Sequence, residues 1–231
     1  MSMPFYVPPE QQMKDRADFA RKGIARGRAL VGCRYDNGIL LVAENPSSTL
    51  RKISEIYDRI AFAGVGKYNE FDQLRQAGIR SADIKGYQYS RSDVDAQSLA
   101  NAYAQMMAQI FTHDAKPLEV EILVAEVGNT AEGDRLFHLL YDGTIIDEDG
   151  LATLGGDAEA ITARWKETFV LGASLSAALT SAVGALAGPD RTLSSQDLEV
   201  AVLERCDRRR CFRRLSDAEV TELLSNQQNS K

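Results

Sequence analysis

The run Ile-Leu-Leu-Val-Ala at residues 39–43 has no polar position, and it follows directly on Asp36-Asn37-Gly38. Asn and Gly tolerate positive φ, so this tripeptide is a tight hairpin signal, and a hairpin makes its two strands antiparallel. Antiparallel sheets commonly keep one face for water. A strand that is apolar at successive positions has no such face and must be covered on both sides. The later segment Phe-His-Leu-Leu-Tyr, residues 137–141, has the same character. Both requirements are met by an α+β architecture: two antiparallel sheets packed face to face, with helices on each outer face, a four-layer α-β-β-α sandwich.

The rest of the chain supplies those layers. Pro9 suits the first position of a helix over residues 9–27, where its missing N–H costs nothing. Met13, Ala17, Ala20 and Ile24 recur there at helical spacing. Residues 28–35 form the strand before the first hairpin, and residues 52–57 and 59–65 form a second hairpin. Helices are expected over residues 67–77, open to continuation past Gly78, and over residues 95–111. The second carries Leu99, Tyr103, Met106, Met107 and Ile110 in one stripe, with Ser92 or Asp93 as its cap. Strands follow at 119–124 and 134–141, then a tight turn at Asp142-Gly143 and a short strand at 151–154. Asp157 opens a helix that buries Ile161, Trp165 and Phe169. Another helix aligns Leu175, Leu179, Val183 and Leu186 and stops at Gly188-Pro189. Segments 197–205 and 211–215 make a last strand pair, and Ser216-x-x-Glu219 is a capping box for a C-terminal helix. No boundary interrupts this order. Residues 9–224 read as a single domain between an irregular tail, 1–8, and a flexible polar tail, 225–231.

A chain of 231 residues is long enough to bury a sizeable core. Its formal charge of -6 argues against nucleic acid as a partner of the whole chain. No apolar run approaches the roughly 20 residues needed to span a bilayer, and the start MSMPFYVPPEQQ has neither the basic nor the apolar part of a secretory signal. Three cysteines, an odd number, suit a reducing compartment, so a cytoplasmic protein is expected. His138 lies on an apolar strand and reads as a packed, hydrogen-bonded histidine. Cys206 and Cys211 lack the second ligand pair of a zinc site, and no metal or cofactor is expected. Gly64-Val65-Gly66 reads as a close strand-to-helix turn, since the rest of a dinucleotide fingerprint is missing. Arg205, Arg208, Arg209, Arg210, Arg213 and Arg214 crowd into ten residues. With Asp207 among them, they read as a solvated hairpin; a nucleic-acid patch is the alternative.

The segments PEQQMKDRADFARKGIARGRALVG, LRKISEIYDRIAFAGVGKYNEFDQLR, SLANAYAQMMAQIF, KPLEVEILVAEV and LEVAVLER, in that order, resemble the proteasome α-subunit family in its actinobacterial form. The similarity runs over residues 9–224. The resemblance implies the four-layer fold of N-terminal-nucleophile hydrolases. An active member of that fold attacks with the side chain of its first residue and uses its own free amine as base. The matching position here is near Arg28, behind an added helix, so the resemblance implies no catalytic residue in this chain.

It implies instead a homo-heptameric outer ring that stacks on catalytic β-subunits, admits substrate and docks a ring-shaped ATPase. In actinobacteria the substrates implied are proteins tagged with a small ubiquitin-like modifier. Lys52 and Pro9 are the implied activator-docking residues, Lys52 in a pocket between neighbouring ring members. Pro4, Phe5, Tyr6, Val7 and Pro8 are the implied gate, although the tail lacks the Tyr-Asp-Arg motif of archaeal relatives. His113 and Asp114 stand where the family has a pore loop, without its usual Tyr-Gly-Gly. Two other readings stay open: an active N-terminal-nucleophile amidohydrolase self-processed at Gly32-Cys33, and an RNA-binding protein using the arginine cluster.

Overall fold

The computed structural model of the chain describes residues 8–228. The expected gate residues Pro4, Phe5, Tyr6 and Val7 lie outside them, as does the end of the polar tail. Helix α1 (Pro9–Ala25) leads into strands β1 (Leu30–Tyr35), β2 (Gly38–Glu44), β3 (Ile53–Tyr57) and β4 (Ile60–Gly66). Helices α2 (Tyr68–Gln88) and α3 (Ala96–His113) follow, then β5 (Val120–Glu126), β6 (Arg135–Leu139), β7 (Ile145–Asp147) and β8 (Leu151–Leu154). The chain continues through α4 (Ala158–Thr168), α5 (Leu175–Ala187), β9 (Leu198–Glu204), β10 (Phe212–Arg214) and α6 (Asp217–Gln228).

The strands form two five-stranded sheets in the orders β10-β9-β2-β1-β8 and β3-β4-β5-β6-β7. Every pairing is antiparallel. The sandwich expected from the sequence is the one observed. Its cause is the two-residue period of a strand. Along β2, Ile39, Leu41 and Ala43 face the opposite sheet, while Leu40 and Val42 join Trp165, Leu179 and Val183 under α4 and α5. Along β5, Leu123 and Ala125 face the opposite sheet, while Val120, Ile122 and Val124 pack with Phe71, Leu99, Tyr103 and Met107 under α2 and α3. Each face of each strand therefore has its own apolar layer.

Gly32 belongs to this packing. A Cβ there would lie 2.7 Å from Leu123 Cδ2 and 3.0 Å from Leu41 Cδ2, so the bare backbone lets the two sheets close.

Several boundaries differ from the sequence reading for identifiable reasons. Helix α3 is capped by Asp95, whose carboxylate accepts from the Ser98 N–H at 2.7 Å. Ser92 and Asp93 fall in a short turn of 3-10 helix before it. Helix α2 runs through Gly78 to Gln88, because the Tyr103 side chain of α3 fills the space that a side chain at Gly78 would need. Helix α6 extends to Gln228, past the point where the sequence placed the polar tail. Helix α1 stops at Ala25 and buries only Ala20 and Ile24, against Tyr141 and Phe111. Met13 is 36% exposed and Phe19 47% exposed, so the first turns of α1 reach past the core.

Gly78 gives a test in which two effects oppose each other. Helix propensity alone makes Gly78→Ala stabilising by about 1 kcal/mol. Overpacking against Tyr103 makes it destabilising by about 1–3 kcal/mol. The expected outcome is a lower urea midpoint with an unchanged slope.

Candidate functional site

The chain crosses from the first sheet to the second between β2 and β3, and Lys52 is the last residue of that crossing. One buried carboxylate shapes it. Glu199 of β9 is 2% exposed and accepts from the backbone N–H of Lys52 at 2.8 Å, from that of Ile53 at 3.2 Å, and from the Asn45 amide at 2.7 Å. Its charge is balanced by Arg214 of β10, whose other nitrogen donates to the Ile53 carbonyl at 2.6 Å. Asn45 also donates to Leu50 O at 2.8 Å, which folds residues 45–50 into a compact turn.

The Lys52 backbone is thus fixed, and its side chain reaches back over the start of β1. Lys52 Nζ donates to the Arg28 carbonyl at 2.6 Å. Burial lowers its pKa to about 8, with Glu44 opposing and Arg28 reinforcing the shift. Glu44 is drawn the other way by Arg191, at 3.1 Å, and lies 4.0 Å from Arg28. A cation resting on a neutral carbonyl makes a stronger, charge-assisted bond to any carboxylate that displaces it.

The other expected docking residue is elsewhere. Pro9 begins α1 and Arg28 follows its end, so a 17-residue helix, roughly 25 Å long at 1.5 Å per residue, stands between Pro9 and the Arg28 carbonyl that Lys52 contacts. Within one chain the two do not meet. Pro8 is exposed immediately before the helix. His113 ends α3 and Asp114 caps it; both are exposed, with His113 Nδ1 3.1 Å from the Gln109 carbonyl. They lie beside α1, where Arg16 donates to Phe111 O at 2.8 Å. A surface pocket between Arg16, Phe19 and Lys116 adjoins them.

The candidate nucleophile is in a different setting. Cys33 is fully buried in the middle of β1, paired with Leu40 on one side and Leu151 on the other. Burial pushes its thiol up to about 12, so at neutral pH it carries almost no thiolate. Cleavage at Gly32-Cys33 would cut through both ladders. The geometry opposes the self-processed amidohydrolase.

The arginine cluster is also largely committed. Arg205 binds the buried Asp134 at 2.8 Å, Arg210 pairs with Glu55 at 2.6 Å, Arg213 with Glu219 at 2.7 Å, and Arg214 with Glu199. Four of the six are paired with carboxylates, which argues against an RNA patch; Arg205 and Arg214 reach buried ones, while the tip at residues 207–210 is exposed, as a solvated hairpin would have it. Sequence reasoning passed over Glu199. Its one signal was a carboxylate inside the otherwise apolar Leu-Glu-Val-Ala-Val-Leu.

Among the described residues, no helix is long and apolar enough to cross a membrane. No group of three or more His, Cys, Asp or Glu among them is arranged to hold a metal ion.

A family model for the proteasome subunit matches residues 24–203. The chain belongs to the proteasome subunit family. That match begins at the end of α1 and so leaves the helix out. Curated relatives include it. The chain is 62% identical to a protein named proteasome subunit alpha from Acidimicrobium ferrooxidans over 227 residues, covering 98% of each. It is 58% identical to the protein of that name from Thermomonospora curvata, covering 97% of this chain and 99% of the relative. The one from Xylanimonas cellulosilytica is 57% identical, with 96% and 95% covered. Helix α1 is therefore part of what this proteasome family member has in common with relatives named for the alpha subunit.

His138 of this family member holds a proton between two carboxylates. Its ring nitrogens lie 3.4 Å from Glu121 and 3.4 Å from Glu148. Burial alone would lower its pKa, but the hydrogen bonds and charges of the two carboxylates outweigh that and raise it to about 9. The folded state holds the proton more tightly than the unfolded chain. The stability this gives is complete below an unfolded pKa of about 6.5 and is lost as pH rises toward 9. Urea titrations across that window should show the unsubstituted protein losing on the order of 3 kcal/mol more than His138→Gln. Parallel pH profiles for the two proteins would refute the assignment.

Proposed function

We propose that this chain is a non-catalytic α-type subunit of a proteasome core. Seven copies form each outer ring, stack on rings of catalytic β-subunits, control admission of substrate and dock a ring-shaped ATPase. The substrates are proteins carrying a small ubiquitin-like modifier, and the setting is the cytoplasm. The chemistry, threonine-type peptide hydrolysis, belongs to the partner chain. Residues 9–224 act as one domain, with residues 1–8 as the gate.

The observation that carries this reading is what precedes β1. A nucleophile at that place would need a free amine, and here the chain continues backward through Arg28 into α1. The same β1 start lies under Lys52, whose ammonium is held 2.6 Å from the Arg28 carbonyl and is ready to receive a carboxylate. The chain terminus of an activator supplies such a group. The separation of Pro9 from Lys52 within one chain suits a pocket shared between copies, with Lys52 from one member and Pro9 from its neighbour. His113 and Asp114, at the end of α3, belong to the pore loop in this reading.

Two measurements test it in the complex with the cognate β-subunit. Lys52→Ala should lower ATPase-stimulated protein degradation by about tenfold or more, the loss expected for one desolvated charge pair, and leave small-peptide hydrolysis intact. Unchanged stimulation would refute the docking role. Deletion of residues 2–8 should raise basal peptide hydrolysis without the ATPase, and no increase would argue against a gate there.

A further inference from the structure

The hairpin between β9 and β10 brings the thiols of Cys206 and Cys211 to 3.9 Å from one another. Its base is held from three sides. The Glu204 N–H donates to the Cys211 carbonyl at 2.9 Å, the Cys211 N–H to Asp58 O at 2.8 Å, and the Arg205 N–H to Asn37 O at 2.8 Å. Its tip, residues 207–210, is exposed. Both thiols turn inward under that tip. Cys206 Sγ lies 3.7 Å from Arg208 O, and Cys211 Sγ lies 3.8 Å from the same carbonyl. The two sulfurs differ in access: Cys206 is partly exposed, whereas Cys211 is 2% exposed.

A disulfide needs the sulfurs at about 2.05 Å, so the remaining approach is about 2 Å, within reach of a rotamer change at the more exposed side chain. The fixed base keeps the pair together while the tip adapts. We propose that Cys206 and Cys211 form a reversible intramolecular disulfide when the protein meets a hydroperoxide.

The steps balance. The Cys206 thiolate attacks the terminal peroxide oxygen; an S–O bond forms, the O–O bond breaks, and an alcohol, or water in the case of hydrogen peroxide, leaves with the thiol's proton. Cys211 then attacks the Cys206 sulfur. The S–S bond forms, the S–O bond breaks, and hydroxide departs as water with the Cys211 proton. Two thiols are oxidised and one peroxide is reduced. The lesser access of Cys211 assigns it the resolving role, in which it loses its proton as it attacks.

The location gives the bond a structural consequence. β9 and β10 belong to the first sheet, whereas the hairpin's partners Glu55, Asp58 and Asp134 belong to the strands and turns of the second. The hairpin is a clasp between the sheets, and the disulfide would close it covalently. This proposal does not depend on the docking role of Lys52.

Trypsin supplies a direct readout, because its sites after Arg205, Arg208, Arg209, Arg210 and Arg213 place each cysteine in its own tripeptide. The full-length protein, in whatever assembly it adopts, is treated with hydrogen peroxide, alkylated without reductant, digested and examined by mass spectrometry. The expected result is the linked pair Cys-Asp-Arg and Cys-Phe-Arg, two hydrogens lighter than the sum, with Cys33 unmodified as the sign that the fold is intact. Dithiothreitol should reverse it. In Cys206→Ser the link should disappear and Cys211 should stay reduced. Overoxidation of Cys206 beside a free Cys211, linkage between chains, or two unreacted thiols would each overturn the proposal.

Discussion

The buried carboxylate of Glu199 is the interaction on which the arrangement of the two sheets depends. It stands in β9 of the first sheet and binds the backbone of Lys52 and Ile53, where the second sheet begins. Arg214 neutralises it and binds Ile53 in turn. A charge in this position is costly unless all its lone pairs are used, and here three N–H donors and a guanidinium use them. Removing one member of such a set leaves an uncompensated charge, at about 3–5 kcal/mol. A domain with a total stability of roughly 5–15 kcal/mol would lose much of its margin. The crossing between sheets, the direction of Lys52 and the seating of β10 are thus one problem with one solution.

The sequence carried the parts of this protein that are decided locally. Asp36-Asn37-Gly38 turns β1 into β2, Ser216 and Glu219 cap α6 as a reciprocal pair, and Gly188 ends α5 with positive φ. Apolar positions on both faces of β2 and β6 require the two coverings. The parts it concealed depend on distant partners. Glu199 meets Ile53 across 146 residues, Arg214 meets the same residue across 161, and Arg205 meets Asp134 across 71. No period or turn signal records such meetings. The arginine cluster accordingly looked solvated throughout in sequence, whereas its two ends, Arg205 and Arg214, fasten buried carboxylates and its tip is exposed. Gly78 gave a similar lesson, since a helix breaker by propensity becomes a requirement once Tyr103 lies over it.

The candidate site was legible to a different degree. Lys52 was visible only through likeness to a family, because one lysine opening a strand is ordinary in itself. What the structure adds is its setting: a backbone fixed by Glu199, an ammonium placed on a carbonyl, and a pKa lowered by burial. His113 and Asp114 gained a location at the end of α3 but no comparable network. Cys33, the most suggestive residue of the first strand, proved to be packing.

Helix α1 also changes what substitution at the head of β1 is able to do. The nitrogen of residue 28 is part of a peptide bond, and its lone pair is delocalised into the preceding carbonyl. A threonine placed at Arg28 would bring a hydroxyl to the head of β1 and still lack a free amine of its own. In this chain the backbone runs on from residue 28 into α1, so no free amine stands there. That amine is withheld by connectivity, so no single side-chain change at residue 28 creates it.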